Sequence, residues 1–159
     1  MAFLKAIIWG TLKRLIHAQF PDISSLSTRE LADWVAQPET NPPLLLDART
    51  PEEYEVSHLQ QAHLPPIDLR ELSRWAGITE TTPIVTYCSV GYRSAKLALQ
   101  LQALGYKQVF NLEGSLFEWV NQGYPVYHKE QVVQAVHPFN QYWGLLLNPE
   151  IPQVLPKTE

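Results

Sequence analysis

VTYCSVGYRSAK, residues Val85–Lys96, passes from a β-type run to a helix-type run and holds the only cysteine of the 159-residue chain. Ile84-Val85-Thr86-Tyr87 is too short for a helix and apolar on both faces, as strands covered on both sides are. Ala95, Leu97, Ala98, Leu101 and Leu104 then follow at helical spacing, and Gly105 offers a C-terminal stop. The turn between them, Cys88-Ser89-Val90-Gly91-Tyr92-Arg93, therefore lies at the carboxyl end of a strand. Open α/β sheets bind their ligands there.

Moving outward, the same alternation recurs. Leu44-Leu45-Leu46 and Val109-Phe110-Asn111-Leu112 are two more short apolar runs. Helix starts separate them. Ser27-Thr28-Arg29-Glu30 and Thr50-Pro51-Glu52-Glu53 both place a hydroxyl three residues before a carboxylate, the pattern of a capping box. Asp68 precedes Leu69, Leu72 and Trp75 in the same manner, and Ser115 opens a last helix through Trp119 and Val120, closed by Gly123. Strand alternating with helix predicts a parallel sheet flanked by helices. Trp34, Trp75 and Trp119 are expected core anchors. From about His128 the pattern fails. His137–Trp143 and Pro149–Pro156 predict an irregular C-terminal extension, too rich in proline for a regular element.

Residues 1–20 stand apart. They contain Lys5, Lys13 and Arg14 and no acid, whereas the whole chain carries a net charge of −4. Phe3, Leu4, Ile7, Ile8, Leu12, Leu15 and Ile16 recur at the spacing of an amphipathic helix, which Arg14 interrupts beside Phe3 and Ile7. Two occupants suit such a helix: its own domain, or a partner, either a protein or an anionic membrane surface. Lysine within the apolar stretch and the lack of a small-x-small site argue against a cleaved leader. No run reaches the ~18 apolar residues of a membrane span.

Net acidity gives no sign of nucleic-acid binding. One cysteine cannot close an internal disulfide, which predicts a reducing, cytoplasmic setting, peripheral at a membrane if residues 1–20 bind lipid. The histidines His17, His58, His63, His128 and His137 show no metal-ligand spacing, so neither a metal nor another cofactor is expected. What remains is the thiol. Gly91 lets the loop curl and aim its N–H groups inward. The helix that follows adds its positive end, and Arg93 adds a forked cation. All three favour a thiolate, and together they form an anion cradle. A nucleophile inside an anion cradle attacks an anionic substrate.

The chain resembles single-domain rhodanese-like sulfurtransferases over Ile23–Val126. Asp47-Ala48-Arg49 is similar to the family's Asp-x-Arg, and Glu53-Tyr54 to its Glu-aromatic pair. Ser57-His58-Leu59-Gln60-Gln61-Ala62 resembles Gly-His-Ile-x-Gly-Ala, and Pro65 the proline after it. Cys88–Arg93 resembles the six-residue catalytic loop. Leu112-Glu113-Gly114 and Trp119-x-x-x-Gly123-x-Pro125-Val126 resemble the closing segment. Ser57, Gln61 and Ser115 stand where the family carries glycines.

The resemblance implies a three-layer α/β fold in three parts: a helix over 1–20, the domain over 23–126 and the extension over 127–159. It implies transfer of a sulfane sulfur from thiosulfate or a persulfide donor to a thiol or cyanide acceptor. Cys88 would carry the sulfur as a persulfide, inside a substrate loop of Ser89, Val90, Gly91, Tyr92 and Ser94. Arg93 would bind the sulfonate end of the donor or turn outward and brace the loop. Asp47, Arg49, Glu53 and His58 would support it, with Arg49 expected to pair with Glu53 and Asp47 to hold the loop. Two other readings fit the same fold. A non-catalytic module that recruits partners would lack the cysteine. Phosphatases and arsenate reductases on this scaffold use a loop one residue longer.

Overall fold

A computed structural model describes residues 2–154. Four parallel strands form one sheet in the order β1-β4-β3-β2, with β1 at Ser24–Leu26, β2 at Leu44–Asp47, β3 at Ile84–Tyr87 and β4 at Val109–Leu112. The register Leu45↔Val85 and Asp47↔Tyr87 between β2 and β3, with Thr86↔Asn111 between β3 and β4, brings three carboxyl ends to one edge.

Alternation along the strands sends side chains to two cores, as a pleated sheet buried on both faces requires. Leu45, Val85 and Leu112 join one core with Leu31 of α2 (Thr28–Val35) and Leu116, Phe117 and Trp119 of α5 (Ser115–Asn121). Leu46, Ile84 and Val109 join the other, with Ala95, Ala98 and Leu101 of α4 (Tyr92–Ala103) and Leu72 of a 3₁₀ turn (Leu69–Arg74). Trp34 and Trp75 pack half-buried against these cores, while Trp119 is buried.

Both capping boxes form: Ser27 with Glu30 at α2, and Thr50 with Glu53 at α3 (Pro51–Val56). The segment after Asp68 is 3₁₀ rather than α-helical. Asp68 spends its carboxylate on Arg70 N–H and on the Arg70 side chain, and only six residues follow before Trp75 turns extended. β1 went unrecognised because Ser24-Ser25-Leu26 is polar at two of its three positions. It is an edge strand, and Ser24 and Ser25 are exposed.

The C-terminal extension is more ordered than its composition predicts. β5 (Val126–His128) and β6 (Gln131–Val133) form a hairpin, and Trp143–Leu146 make a 3₁₀ turn. Val136, Leu146 and Leu147 lie in the first core. Val136 N–H donates to Pro152 O, and Val154 N–H to Val136 O. Proline is compatible with this short bridge because each proline there only accepts. The end of the expected tail, residues 155–159, lies outside the described residues.

The N-terminal helix α1 (Ala2–Gln19) packs on the domain. Ile16 and Phe20 are buried in the second core, and Trp9 and Leu12 lie against the first. Lys13 pairs with Glu118 at 2.7 Å and Glu113 at 3.4 Å. Lys5 donates to Asn148 Oδ1. Phe3, Leu4, Ile7, Ile8 and Leu15 remain exposed on the opposite face. No helix among the described residues is long and apolar enough to cross a membrane.

Candidate active site

β3 ends at Tyr87 and α4 begins at Tyr92, so Cys88–Gly91 close the turn between them. Gly91 adopts φ +114, a conformation L side chains rarely take, and caps α4. That twist sends its N–H back onto Cys88 Sγ at 3.1 Å. Ser94 Oγ, one turn into the helix, lies 3.5 Å from the same sulfur. Negative charge on Sγ is thus met by a backbone donor, a hydroxyl and the positive end of a twelve-residue helix. Cys88 itself is 1% exposed.

The loop is held from behind. Cys88 N–H donates to Ser115 Oγ at 3.1 Å, and Ser115 Oγ donates to Leu112 O. Leu116 and Phe117 N–H groups donate to Cys88 O and Ser89 O. Asn111 Nδ2 donates to Gly91 O. Local spacing assigns no role to Asn111, and offers Ser115 only as a helix start and a departure from glycine. Ser115 keeps the backbone angle a glycine would take, φ +48, and uses its hydroxyl to fix the cysteine. At Gly114 a Cβ would come within 2.5 Å of Glu118 Cβ, so that glycine is required.

Gln61 likewise stands in for a glycine and takes φ +59. Ser57, the other substitution, sits in extended backbone at φ −169, where any residue fits. The His58 segment therefore keeps its path. Its backbone exchanges hydrogen bonds with Tyr127, and its ring stacks on Tyr54 at 4.0 Å. His58 is engaged there and serves as packing.

The charged supports are wired differently from expectation. Arg49 pairs with Asp47, not with Glu53: Nη2–Oδ2 is 2.7 Å and both side chains are fully buried. The two residues are two positions apart at the end of β2, so the guanidinium folds straight back, and its Nη2 also donates to Ser57 O. Burial alone would favour the neutral form of Arg49, and Asp47 overrides it. Asp47 does not hold the catalytic loop directly. Tyr87, under the Arg49 guanidinium at 5.9 Å, donates nothing to the loop either; its OH accepts from Leu59 N–H, and burial pushes its pKa well up.

Glu53 instead grips Arg93. Nη1–Oε2 and Nη2–Oε1 are both 2.8 Å, a fork-on-fork pair. Oε2 also closes the Thr50 cap at 2.9 Å, and Arg93 Nη2 reaches Ser89 Oγ at 3.0 Å. Burial would raise the Glu53 pKa, but the Arg93 and Thr50 donors bring it down to about 2. Arg93 thus lies on Glu53 and Ser89, the geometry expected of the bracing role. Tyr92 is half-exposed at the rim, with its OH accepting from Gln19 and its ring edge-on to Phe20. Val90 is buried, and Ser94 is anchored through its carbonyl by Thr86 Oγ1. Among the described residues no cluster of His, Cys, Asp and Glu could hold a metal ion.

Against known proteins, the model of the rhodanese-like domain matches residues 27–122, more than half of the chain. The chain belongs to the rhodanese-like family. A sulfurtransferase of Allochromatium vinosum is 35% identical over 105 residues, covering 66% of this chain and 91% of that protein. A tRNA uridine(34) hydroxylase of Protochlamydia amoebophila is 34% identical over 104 residues, but this chain spans only 31% of its length. The crystal structure of a rhodanese-like domain protein from Staphylococcus aureus superposes with a TM-score of 0.55 at 28% identity, covering 68% of this chain and all of that one. The sulfurtransferase is thus matched over nearly all of its own length, whereas this chain spans about a third or less of the hydroxylase, and the Cys88 loop lies inside the family match.

Proposed function

We propose that this rhodanese is a sulfurtransferase whose Cys88 carries a sulfane sulfur as a persulfide. One observation carries the reading: the lone thiol's Sγ sits at the centre of its loop, with Gly91 N–H at 3.1 Å and the start of α4 behind it. Thiosulfate or a persulfide supplies the sulfur. Cys88 attacks its outer sulfur, the new bond forms at Sγ, and the donor's S–S bond breaks with its electron pair leaving on sulfite or on a thiolate. A thiol or cyanide acceptor then takes the outer sulfur and returns the Cys88 thiolate. Inside the loop, the Gly91 N–H and the Ser94 hydroxyl that face Sγ stabilise the charge that moves onto the outer sulfur. Glu53 and Arg93 keep the loop curled.

The four residues between Cys88 and Arg93 suit a single sulfur rather than a tetrahedral oxyanion. The family likeness to the Allochromatium sulfurtransferase supports the same reaction. Incubating purified protein with a sulfane donor is expected to add about 32 Da, one sulfur on the nucleophile, by mass spectrometry. Cys88→Ser is expected to lose the adduct and the turnover while melting as the wild type does. An adduct in the serine variant, or turnover above a few per cent, overturns the assignment of Cys88.

A further inference from the structure

The family match stops at residue 122, yet residues from beyond it reach the site. His137 is buried, and its Nδ1 accepts the Phe139 N–H at 3.0 Å. Phe139 is held at φ +66, unusual for an aromatic residue, and its ring lies over the Arg93 guanidinium at 4.9 Å. The segment is fastened at its start by the buried Val136 and its bonds to 152–154. Arg93 is therefore committed although its side chain stays 31% exposed: Glu53 takes both terminal nitrogens, Ser89 takes one of them again, and Phe139 covers a face.

The other cations at the loop are committed as well. Lys13, beside the cavity that Val90 and Gly91 line, bridges Glu113 and Glu118. Arg49 is sealed against Asp47. Three full cations thus face four carboxylates, and His17 spends its Nε2 on Glu113. A thiosulfate dianion finds none of these cations uncompensated, and Coulomb repulsion from the fourth carboxylate adds to its desolvation cost.

We propose that the donor is a low-mass hydropersulfide, R–S–SH, and that Phe139, by holding Arg93 on Glu53, selects against thiosulfate. This rests on the sulfur-transfer reading above. The Cys88 thiolate attacks the outer sulfur, the Sγ–S bond forms and the donor S–S bond breaks. The electron pair leaves on the inner sulfur, which takes the proton the outer sulfur carried, so a neutral thiol departs and Cys88 persulfide keeps the single negative charge. No oxidant or reductant is needed. Thiosulfate would instead have to expel sulfite as a dianion beside cations already paired with carboxylates. Because Cys88 is 1% exposed, the sulfur must arrive on a slim molecule rather than on a folded protein's surface.

The test is the second-order rate of persulfide formation on full-length protein, read by mass spectrometry with cysteine hydropersulfide or thiosulfate as donor. Wild type is expected to load from the hydropersulfide on the order of 100-fold faster, and Phe139→Ala to raise the thiosulfate rate about tenfold through a lower half-saturating concentration while the hydropersulfide rate stays within about threefold. Phe139→Leu keeps the apolar bulk without the π face, and is expected to fall between the two. It serves as the working variant should the alanine protein melt early. Thiosulfate loading of wild type within about tenfold of hydropersulfide, or equal losses with both donors in a folded Phe139 variant, overturns the proposal. Loading by a persulfidated protein as fast as by the small donor overturns the choice of a low-mass donor. No adduct from any donor overturns the sulfur-transfer reading itself.

Discussion

Two arginine–carboxylate pairs lie at the sheet edge that carries the Cys88 loop, and they are built to opposite specifications. Asp47–Arg49 is sealed at the end of β2, 0% exposed on both sides, with Arg49 also on Ser57 O. Glu53–Arg93 has the better fork, yet the Arg93 side chain is 31% exposed while Glu53 is 2% exposed. The first pair joins a strand end to the next loop and touches nothing that reacts. The second joins a helix cap to the Cys88 loop and stays partly open, with one face covered by a residue from outside the matched domain. Identical chemistry at two depths therefore separates holding the fold from shaping the site.

The largest effect should come from breaking the deep pair. Arg49→Ala leaves Asp47 buried and unpaired, a loss of about 3–5 kcal/mol. For a chain of this length that lowers the melting temperature by about 10 °C. Arg93→Ala leaves Glu53 with its Thr50 cap and a route to solvent, so its melting should fall by no more than a few degrees while persulfide formation slows. Thermal unfolding of both variants checks this. An equal fall in the two would show that depth does not separate their roles.

This contrast also marks what the sequence could and could not show. The strand–turn–helix at Cys88 and both capping boxes were legible, because each depends on residues a few positions apart. The pairing of the arginines was not. Local spacing offered Glu53 to Arg49, four residues away, whereas the fold brings Arg93 to Glu53 from forty residues on and lets Arg49 fold onto its neighbour Asp47. Ser115 and Asn111 were missed for the same reason: their bonds to Cys88 and Gly91 span strands. The extension is irregular as expected apart from one short hairpin and one 3₁₀ turn, but its packing was not legible, because Val136, Leu146 and Leu147 are scattered among prolines and carry no periodicity. Phe139, two residues beyond a buried histidine, gave no signal of its own.

A smaller effect sharpens the second pair. The Glu53 carboxyl is held at about 2 in the folded protein against an ordinary 4.5. Its folded value is depressed, so its stabilisation is complete above about pH 4.5 and is lost as pH falls toward 2. Glu53→Gln removes that dependence. Melting curves of wild type and variant should differ by several degrees at pH 6 and converge only as pH drops from about 4.5 toward 2. A constant difference at all pH values would show that the glutamate acts there by shape and capping rather than by charge.

The smallest effect concerns a third pair, shallower again. Lys13 on α1 lies between Glu118 and Glu113, with side-chain exposures of 24%, 23% and 31%. Pairs this accessible contribute about 0–1 kcal/mol, so Lys13→Met should shift melting by at most about 3 °C. The helix is held mainly by Ile16 and Phe20 in the second core, with Trp9 and Leu12 against the first. Removing residues 1–20 should therefore cost clearly more than removing the charge. The same geometry bears on membrane contact. Lys13 and Lys5 face the domain, the latter on Asn148, which leaves Arg14, among the described residues, as the exposed cation beside Phe3, Leu4, Ile7, Ile8 and Leu15. One free cation adds only about 1 kcal/mol at an anionic surface. Full-length protein is expected to stay in the supernatant with anionic vesicles, and Lys13→Met to behave the same. Salt-sensitive co-sedimentation that Lys13→Met abolishes would show that the lysine leaves its glutamates for lipid, and that the shallow pair is a latch rather than a brace.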